Sequence, residues 1–313
     1  MLRHVPFNGL SGAIFKGAAL CAALLAALPV HADLSFPLVR TQDGLFAAEA
    51  IVNDNARAHM VVDTGSAMSA IRTDLVDHLA LLRDAHQWRT FGLLSVEHLD
   101  SVAIDSFDVG AFAHSGTLIV SQMDTLSDPR MKGLIGSDLL FSLSHNNRYL
   151  ALNFADHLIQ AADRRRHIGV ASHKNWHPLR NEGSEHGLIV FDVTIDGVPG
   201  VAILDTGIKF TLINSKLANA LVKRNSQREF TVVKDVHGED TMLKSTPIRR
   251  TVVGDISWRG MQAVMYDSPV FEQLGLAETP TMLVGVNMFE DLNFVIDTEK
   301  SRFIVGPPDL LKR

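Results

Sequence analysis

Cysteine is almost absent from this chain, since the 313 residues include a single one, Cys21. It lies in an apolar stretch, GAALCAALLAALPV, which follows Arg3 and Lys16 and ends at Val30-His31-Ala32, a small-x-Ala cleavage site. These features are typical of a secretory signal peptide, and the apolar run is short for a bilayer span. We therefore predict that residues 1–32 are a signal peptide and that the protein is exported, either periplasmic or secreted. An uncleaved anchor is the alternative. Cleavage would leave a chain that can form no disulfide.

Positive charge is also scarce, because 29 Lys and Arg stand against 35 Asp and Glu, for a net charge of −6 at pH 7. A nucleic-acid-binding protein usually has the opposite balance, so no nucleic-acid partner is expected. The one basic cluster, residues 164–167, is predicted to lie in a solvated linker. No second long apolar run follows residue 32, so no integral membrane segment is expected after cleavage.

Common metal and phosphate motifs are missing as well. The chain has 14 His but no His-Glu-x-x-His. His173 and His177 have the spacing of two ligands on one helical face, but Pro178 follows at once and disfavours a helix there. There is no Gly-rich phosphate loop and no serine nucleophile elbow. We predict no metal site and no cofactor.

What the chain does contain is a repeated phrase, VVDTG at 61–65 and ILDTG at 203–207, with Asp63 and Asp205 lying 142 residues apart. One Asp-Thr-Gly is a common turn sequence, but here the surroundings match too. Nine residues before each aspartate, Asp54 and Asp196 lie in turn sequences between apolar stretches, which predicts a hairpin before each motif. Further matched pairs are Pro37 with Pro178, Ser69 with Thr211, Ile71 with Ile213, Thr73 with Ser215, Leu75 with Leu217 and Leu79 with Leu221.

The match continues to the end of each half. GLIGSDLL (133–140) aligns with MLVGVNMF (282–289), and each half closes with a predicted strand pair. Thr73 and Ser215 are predicted N-caps of short helices, and alternating apolar patterns elsewhere favour strands. The chain is therefore predicted to be a tandem duplication of a mostly-β unit, with an N-terminal lobe at 33–161, a linker at 162–176 and a C-terminal lobe at 177–313.

The repeated aspartates point to acid–base chemistry. A structural aspartate in a turn usually caps a backbone N–H, which explains either copy alone but not the pair. If the lobes pack about a local two-fold axis, the two carboxylates face each other and share one proton, so their apparent pKa values separate. Asp63 and Asp205 could then act as base for a water and as acid for a carbonyl oxygen, with no metal and no covalent intermediate.

The other motif residues have supporting roles in this arrangement. Thr64 and Thr206 are expected to hydrogen-bond across to the opposite loop and lock the two strands together. Gly65 and Gly207 let the backbones approach and offer N–H groups to the carboxylates. Ser66 is placed to hydrogen-bond Asp63.

These motifs resemble those of the aspartic proteases, and the resemblance covers nearly the whole chain after residue 32. In that superfamily each lobe supplies one Asp-Thr-Gly and a later apolar-apolar-Gly, whose places are taken here by residues 134–136 and 283–285. The resemblance implies two pseudo-symmetric β-barrel lobes, retropepsin- or pepsin-like, with a cleft between them and a strand beneath each catalytic loop. The lobes are short, as in retroviral-type proteases, which make their site by dimerising. Here two are fused, as in a bacterial-type exported enzyme, so we expect a monomer.

Two positions depart from the family pattern. Position 208 is Ile, where pepsin-like enzymes usually have Ser or Thr and retroviral-type enzymes have Ala. Lys209 is expected to point to solvent; near the dyad it would lower the apparent pKa values.

No tyrosine marks a flap of the pepsin-like kind, because neither Tyr149 nor Tyr266 falls in a flap segment. The predicted flaps are residues 90–96 and 233–240, with Gly92 and Gly238 near their tips. Closure of two such flaps would exclude water from the site.

The predicted function is that of an aspartic endopeptidase that hydrolyses peptide bonds in extended polypeptide segments, with apolar side chains beside the scissile bond. Its only expected partner is the polypeptide substrate. The alternative is a non-catalytic module that holds an extended peptide on the same fold. A module of that kind would not need both aspartates, which favours the protease. Ile208, which departs from the pepsin-like pattern, leaves the alternative open.

Overall fold

The computed structural model describes residues 34–93, 95–123, 126, 128–143, 147–170, 175–182, 187–222, 229–234, 240–307 and 310. The strands are β1 (Leu34–Pro37), β2 (Val39–Arg40), β3 (Phe46–Val52), β4 (Ala56–Val62), β5 (Ala70–Arg72), β6 (Trp88–Phe91), β7 (Val96–Leu99), β8 (Ser101–Val109), β9 (Phe112–Ser121), β10 (Met131–Ile135), β11 (Tyr149–Asn153), β12 (Leu158–Ala162), β13 (His177–Pro178), β14 (Val190–Ile195), β15 (Val198–Leu204), β16 (Thr211–Ile213), β17 (Glu229–Lys234), β18 (Asp240–Val253), β19 (Ile256–Met265), β20 (Thr281–Val284), β21 (Asn293–Asp297) and β22 (Arg302–Gly306). The helices are α1 (Thr73–His78), α2 (Ser137–Ser142), α3 (Ser215–Val222), α4 (Pro269–Gln273) and α5 (Val286–Phe289), with a 3₁₀ helix at Arg165–Ile168.

Six strands of the N-terminal half close into a barrel in the order β3-β4-β10-β5-β9-β8, because β8 pairs back onto β3. Its β4 and β10 run parallel, and β2 extends the sheet beside β3. The interior is apolar, since alternate strand residues such as Phe46, Met60, Ile71 and Phe107 are fully buried.

The C-terminal half repeats this arrangement strand for strand. Its barrel has the order β14-β15-β20-β16-β19-β18, closed by pairing of β18 with β14, and β17 lies outside β18. The parallel pair β15–β20 occupies the place of β4–β10. The structure thus confirms the predicted fold class, mostly β with two pseudo-symmetric barrels of the acid-protease type.

Both predicted hairpins before the motifs are present. Asn53 and Asp54 join β3 to β4 with φ of 49° and 54°, and Asp196 and Gly197 join β14 to β15 with φ of 48° and 80°. Asn, Asp and Gly adopt this left-handed region most readily, which is why these residues specify the two tight turns.

A third sheet joins the two halves, with strands in the order β1-β12-β11-β21-β22-β13. Its centre is the antiparallel pair β11–β21, in which Tyr149 lies opposite Asp297. Asp297 is fully buried and accepts two hydrogen bonds of 2.8 Å from the guanidinium of Arg148, and Nε of Arg302 lies 2.9 Å from the same carboxylate. These arginines lower the pKa of Asp297 against the opposing effect of burial, so a charged cluster ties the last strands of each half together.

The segment predicted as a solvated linker is partly packed. Arg164, Arg165 and Arg166 are exposed, but Ile168 and Val170 are buried against the joining sheet. The segment therefore contributes to the core as well as connecting the halves. No helix in the described part of the chain is long and apolar enough to cross a bilayer. The predicted signal peptide lies outside that part.

The predicted helix caps are each wrong by one residue. Thr73 and Ser215 are the first helical residues of α1 and α3, and Arg72 occupies the N-cap of α1 without a side-chain hydrogen bond. At α3 the preceding Asn214 is the cap, because its Oδ1 accepts the N–H of Leu217 at 2.9 Å. Asn is as strong an N-cap residue as Ser, and it comes first along the chain.

Candidate active site

Each Asp-Thr-Gly loop begins directly after a barrel strand, β4 in one half and β15 in the other. The N–H of Asp63 donates to the carbonyl of Ile135 at 2.9 Å, and that of Asp205 donates to the carbonyl of Val284 at 3.0 Å. Both acceptors end the strand that runs parallel to the one before the loop. The parallel pairs thus fix where each aspartate leaves its barrel.

The segments that follow β10 and β20 pass beneath the loops. The N–H of Ser137 donates to the carbonyl of Ser66 at 2.8 Å, and that of Val286 donates to the carbonyl of Ile208 at 2.9 Å. The loops are therefore supported from below by the apolar-apolar-Gly segments, in the arrangement that the resemblance implies.

The two threonines bridge the loops reciprocally. Thr64 Oγ1 donates to Leu204 O at 2.8 Å and accepts the N–H of Thr206 at 3.2 Å. Thr206 Oγ1 donates to Val62 O at 2.5 Å and accepts the N–H of Thr64 at 3.0 Å. Both threonines are buried, so all four bonds are shielded from water. The halves are thereby held in register directly behind the aspartates.

The two carboxylates are brought face to face across the pseudo-symmetry axis. Gly65 N donates to Asp63 Oδ1 and Gly207 N donates to Asp205 Oδ1, each at 2.9 Å. A Cβ atom at Gly65 would lie 2.6 Å from both oxygens of Asp205, and one at Gly207 would lie 2.5–2.6 Å from the oxygens of Asp63. Each carboxylate thus rests on the glycine of the opposite loop, where no side chain would fit.

This environment gives the two aspartates different pKa values. Burial raises the pKa of Asp205 well above its usual range, and the nearby charge of Asp63 adds to the rise. Burial also raises the pKa of Asp63, but the N–H of Gly65 and a hydrogen bond from Asp205 oppose that rise. Two carboxylates that face each other in this way cannot both ionise easily, so the pair favours one shared proton.

The predictions for the remaining residues beside the motifs are confirmed in part. Ser66 reaches Asp63 through its backbone N–H, at 3.1 Å, while its hydroxyl donates to Met68 O at 2.7 Å. Ile208 is partly buried and packs against a buried apolar cluster of the C-terminal barrel. Lys209 is exposed, as expected.

A second pair of polar contacts fixes the loops and was not assigned from the sequence. Ser69 Oγ donates to Asp138 Oδ1 at 2.6 Å, and in the other half Thr211 Oγ1 lies 2.8 Å from Asn287 Oδ1. The same two hydroxyls accept the N–H groups of the motif glycines in residues 134–136 and 283–285, at 2.8 and 3.2 Å. The available signal was a hydroxyl six residues after each aspartate, matched by a polar residue two positions after each motif glycine.

The first predicted flap segment is a hairpin. β6 and β7 pair as a two-stranded sheet, and the N–H of Gly92 donates to Ser95 O at 2.8 Å across the turn. The tip reaches the other half of the molecule, where Ser268 Oγ donates to Leu93 O at 2.7 Å. Gly238 lies outside the described residues, between the paired strands β17 and β18. The role of either segment as a flap stays a prediction.

Within the described residues, no group of three or more His, Cys, Asp or Glu side chains is arranged to hold a metal ion. His177 is a strand residue that pairs with Phe303 in β22, and His173 lies outside the described part.

Comparison with known proteins agrees with this geometry. A family model described as aspartyl protease matches residues 191–288, a stretch that holds the second Asp-Thr-Gly and the second apolar-apolar-Gly. No curated protein matches the chain. The family match and the two closed six-stranded barrels together support placing this chain in the aspartic protease superfamily.

Proposed function

We propose that this protein is an aspartic endopeptidase that cleaves extended polypeptide segments between its two lobes. The observation that carries the proposal is the facing pair Asp63 and Asp205, each resting on the glycine of the opposite loop behind a buried threonine bridge. A bridge of this kind holds the carboxylates together against their electrostatic repulsion. That repulsion raises the pKa of one carboxyl and keeps it protonated, which an acid–base pair needs and a peptide-binding surface does not.

The two aspartates take different roles in the proposed reaction. Asp205, whose pKa is raised further, carries the shared proton, and Asp63 is the carboxylate that receives a proton from the attacking water. As the water oxygen bonds to the peptide carbon, Asp205 gives its proton to the carbonyl oxygen, and a neutral tetrahedral diol forms. The protonated Asp63 then passes its proton to the leaving nitrogen while Asp205 recovers one from the diol, so the dyad returns to its starting state.

Fusion of the two barrels in one chain favours action as a monomer, since each half supplies one aspartate. An exported location, periplasmic or secreted, is proposed from the signal-like residues 1–32. The substrate of the proposed reaction is an unfolded or extended polypeptide, because a chain in that form can pair its backbone with strands such as those of the β6–β7 hairpin.

The test is digestion of an unfolded protein by the purified protein from pH 3 to 8, with products identified by mass spectrometry. Asp63→Asn and Asp205→Asn are expected to lower the rate by at least about 100-fold, the usual contribution of a general acid or base. Asp291→Asn, at an exposed aspartate, should cleave like the wild type. No internal cut by folded wild-type protein at any pH would overturn the proposal in favour of the non-catalytic module. Equal activity in either dyad variant would overturn the assignment of the dyad.

A further inference from the structure

The tip of the β6–β7 hairpin comes from the N-terminal half but lies on an apolar surface of the C-terminal half. Leu93 packs onto two buried apolar clusters, one containing Val190, Leu212 and Phe271 and the other formed by Leu243 and Val264. Other side chains on these clusters are partly buried. We call the apolar surface that Ile208, Phe210, Tyr266 and Val270 form on these clusters the Leu93 pocket, because Leu93 packs onto the same clusters.

The Leu93 pocket includes residues that directly follow the second Asp-Thr-Gly loop. Ile208 directly follows Gly207, on which the carboxylate of Asp63 rests, and Phe210 lies two residues further on. The pocket therefore adjoins the loop that carries Asp205. That is the placement needed for a residue beside a scissile bond.

One hydrogen bond fastens the hairpin tip in place. Ser268 is almost fully buried at the start of α4, where its Oγ donates to Leu93 O at 2.7 Å and also accepts the N–H of Val270. Two side chains of the hairpin strands, Trp88 and Val96, are 39% and 38% exposed and add little packing of their own. An isolated two-stranded hairpin is marginally stable, so this one can lift when its tip is displaced.

The tip also holds an unpaired polar group. The Oγ atom of Ser95 is shielded from solvent, yet it has no hydrogen-bond partner in the described part of the chain. Buried hydroxyls are normally bonded, and exceptions often mark a place that a ligand completes. This hydroxyl lies two residues from Leu93, in the same turn whose Leu93 carbonyl accepts from Ser268.

We propose, on the basis of the proposed function, that the Leu93 pocket is a substrate subsite for one large apolar side chain and that Leu93 is its resident occupant in the free enzyme. A peptide with Leu, Phe or Met at the matching position displaces Leu93 and breaks the Ser268 contact. Small or charged residues at that position do not displace it. The chain thus selects against peptides that lack a large apolar residue there, because the competent open state is only partly populated.

The experiment measures peptide binding in an Asp63→Asn background, so that no cleavage interferes. Trp88 reports on the hairpin once Trp176→Phe and Trp258→Phe have removed the other tryptophan signals. The peptides form a series in which one residue is Ala, Leu or Phe. We expect the Leu and Phe peptides to bind at least about tenfold more tightly than the Ala peptide, as one filled apolar pocket allows, and to change the Trp88 emission.

Two variants test whether Leu93 is a competitor. Leu93→Ala should tighten binding of the Leu peptide about fivefold and shift free-state Trp88 emission toward that of the bound state, because the resident side chain is gone. Ser268→Ala should tighten binding by a similar factor through loss of the tip contact. Leu82→Ala removes the same side chain at an exposed position outside the hairpin and the pocket, so it serves as the matched control and should leave affinity unchanged.

The inference is overturned if Leu93→Ala weakens binding, since Leu93 would then cover the substrate rather than compete with it. It is equally overturned if the three peptides bind alike or if Leu93→Ala matches Leu82→Ala. Peptide selection with the expected pattern, from a wild-type protein that does not cleave, would support the subsite and overturn only the catalytic proposal. Cleavage by the wild type, with no effect of Leu93→Ala on binding, would support the catalytic proposal and overturn the subsite.

Discussion

The threonine bridge can be weakened without a change in side-chain volume, which makes its contribution measurable. In Thr206→Val, the carbonyl of Val62 loses its donor at 2.5 Å and the N–H of Thr64 loses its acceptor at 3.0 Å. Both groups are buried, so water cannot replace the lost partner. Each buried polar group left unpaired costs about 1–3 kcal/mol, so we expect the free energy of unfolding to fall by about 2–6 kcal/mol. Urea unfolding followed by tryptophan fluorescence measures this change.

The control for this prediction is Thr251→Val in β18. Thr251 is as deeply buried as Thr206, but its hydroxyl has no hydrogen-bond partner among the residues that the structure describes. Its replacement removes an unpaired polar atom at the same volume, so we expect no loss, or a small gain, in the free energy of unfolding. Equal losses in the two variants would refute the reasoning, because the effect would then follow from burial alone and not from the bridge.

Two further predictions concern charge and have opposite pH dependence. Because the pKa of Asp205 is raised in the fold, its contribution to stability is complete below its ordinary pKa of 3.8 and is lost as pH rises through the folded pKa, by up to about 1.4 kcal/mol per pH unit. In urea titrations from pH 4 to 8, the stability of the wild type relative to Asp205→Asn should therefore fall as pH rises; a constant difference would contradict the assignment. The pKa of Asp297 is lowered instead, so its stabilisation is present at neutral pH and lost as pH falls. Asp297→Asn should cost about 2–4 kcal/mol at pH 7, since Arg148 and Arg302 lose their buried partner, whereas Glu49→Gln in an exposed ion pair should change stability by less than about 1 kcal/mol.

The features that the sequence predicted well are repeated in both halves, although the polar contacts of Ser69 and Thr211, which are also repeated, were not assigned. The turns at Asp54 and Asp196 and the loops at Asp63 and Asp205 each depend on a few neighbouring residues, and the second copy removed most of the ambiguity of the first. Packing of one copy against the other then followed from symmetry, which is why the meeting of the two aspartates could be anticipated.

A contact present in one half only was also missed. The contact between Leu93 and Ser268 joins residues 175 positions apart, and neither has a counterpart that signals it. Leu93 is an ordinary apolar residue in a turn, and only the folded arrangement gives it a neighbour across the molecule. The cap of α3 was predicted wrongly for a different reason, because Asn214 and Ser215 are both strong N-cap residues and local preference alone cannot choose between adjacent positions.

The sheet that joins the halves also sets an order of assembly. During synthesis β11 is complete well before its partner β21 exists, and the five residues of β11 are all buried in the finished protein. Until the last strands arrive, that strand has an open apolar edge, the kind of surface that pairs with other chains. A nascent or truncated chain that stops before residue 293 is therefore expected to associate with itself. The final hairpin, β21–β22, completes the fold and at the same time closes the edge on which such association would begin.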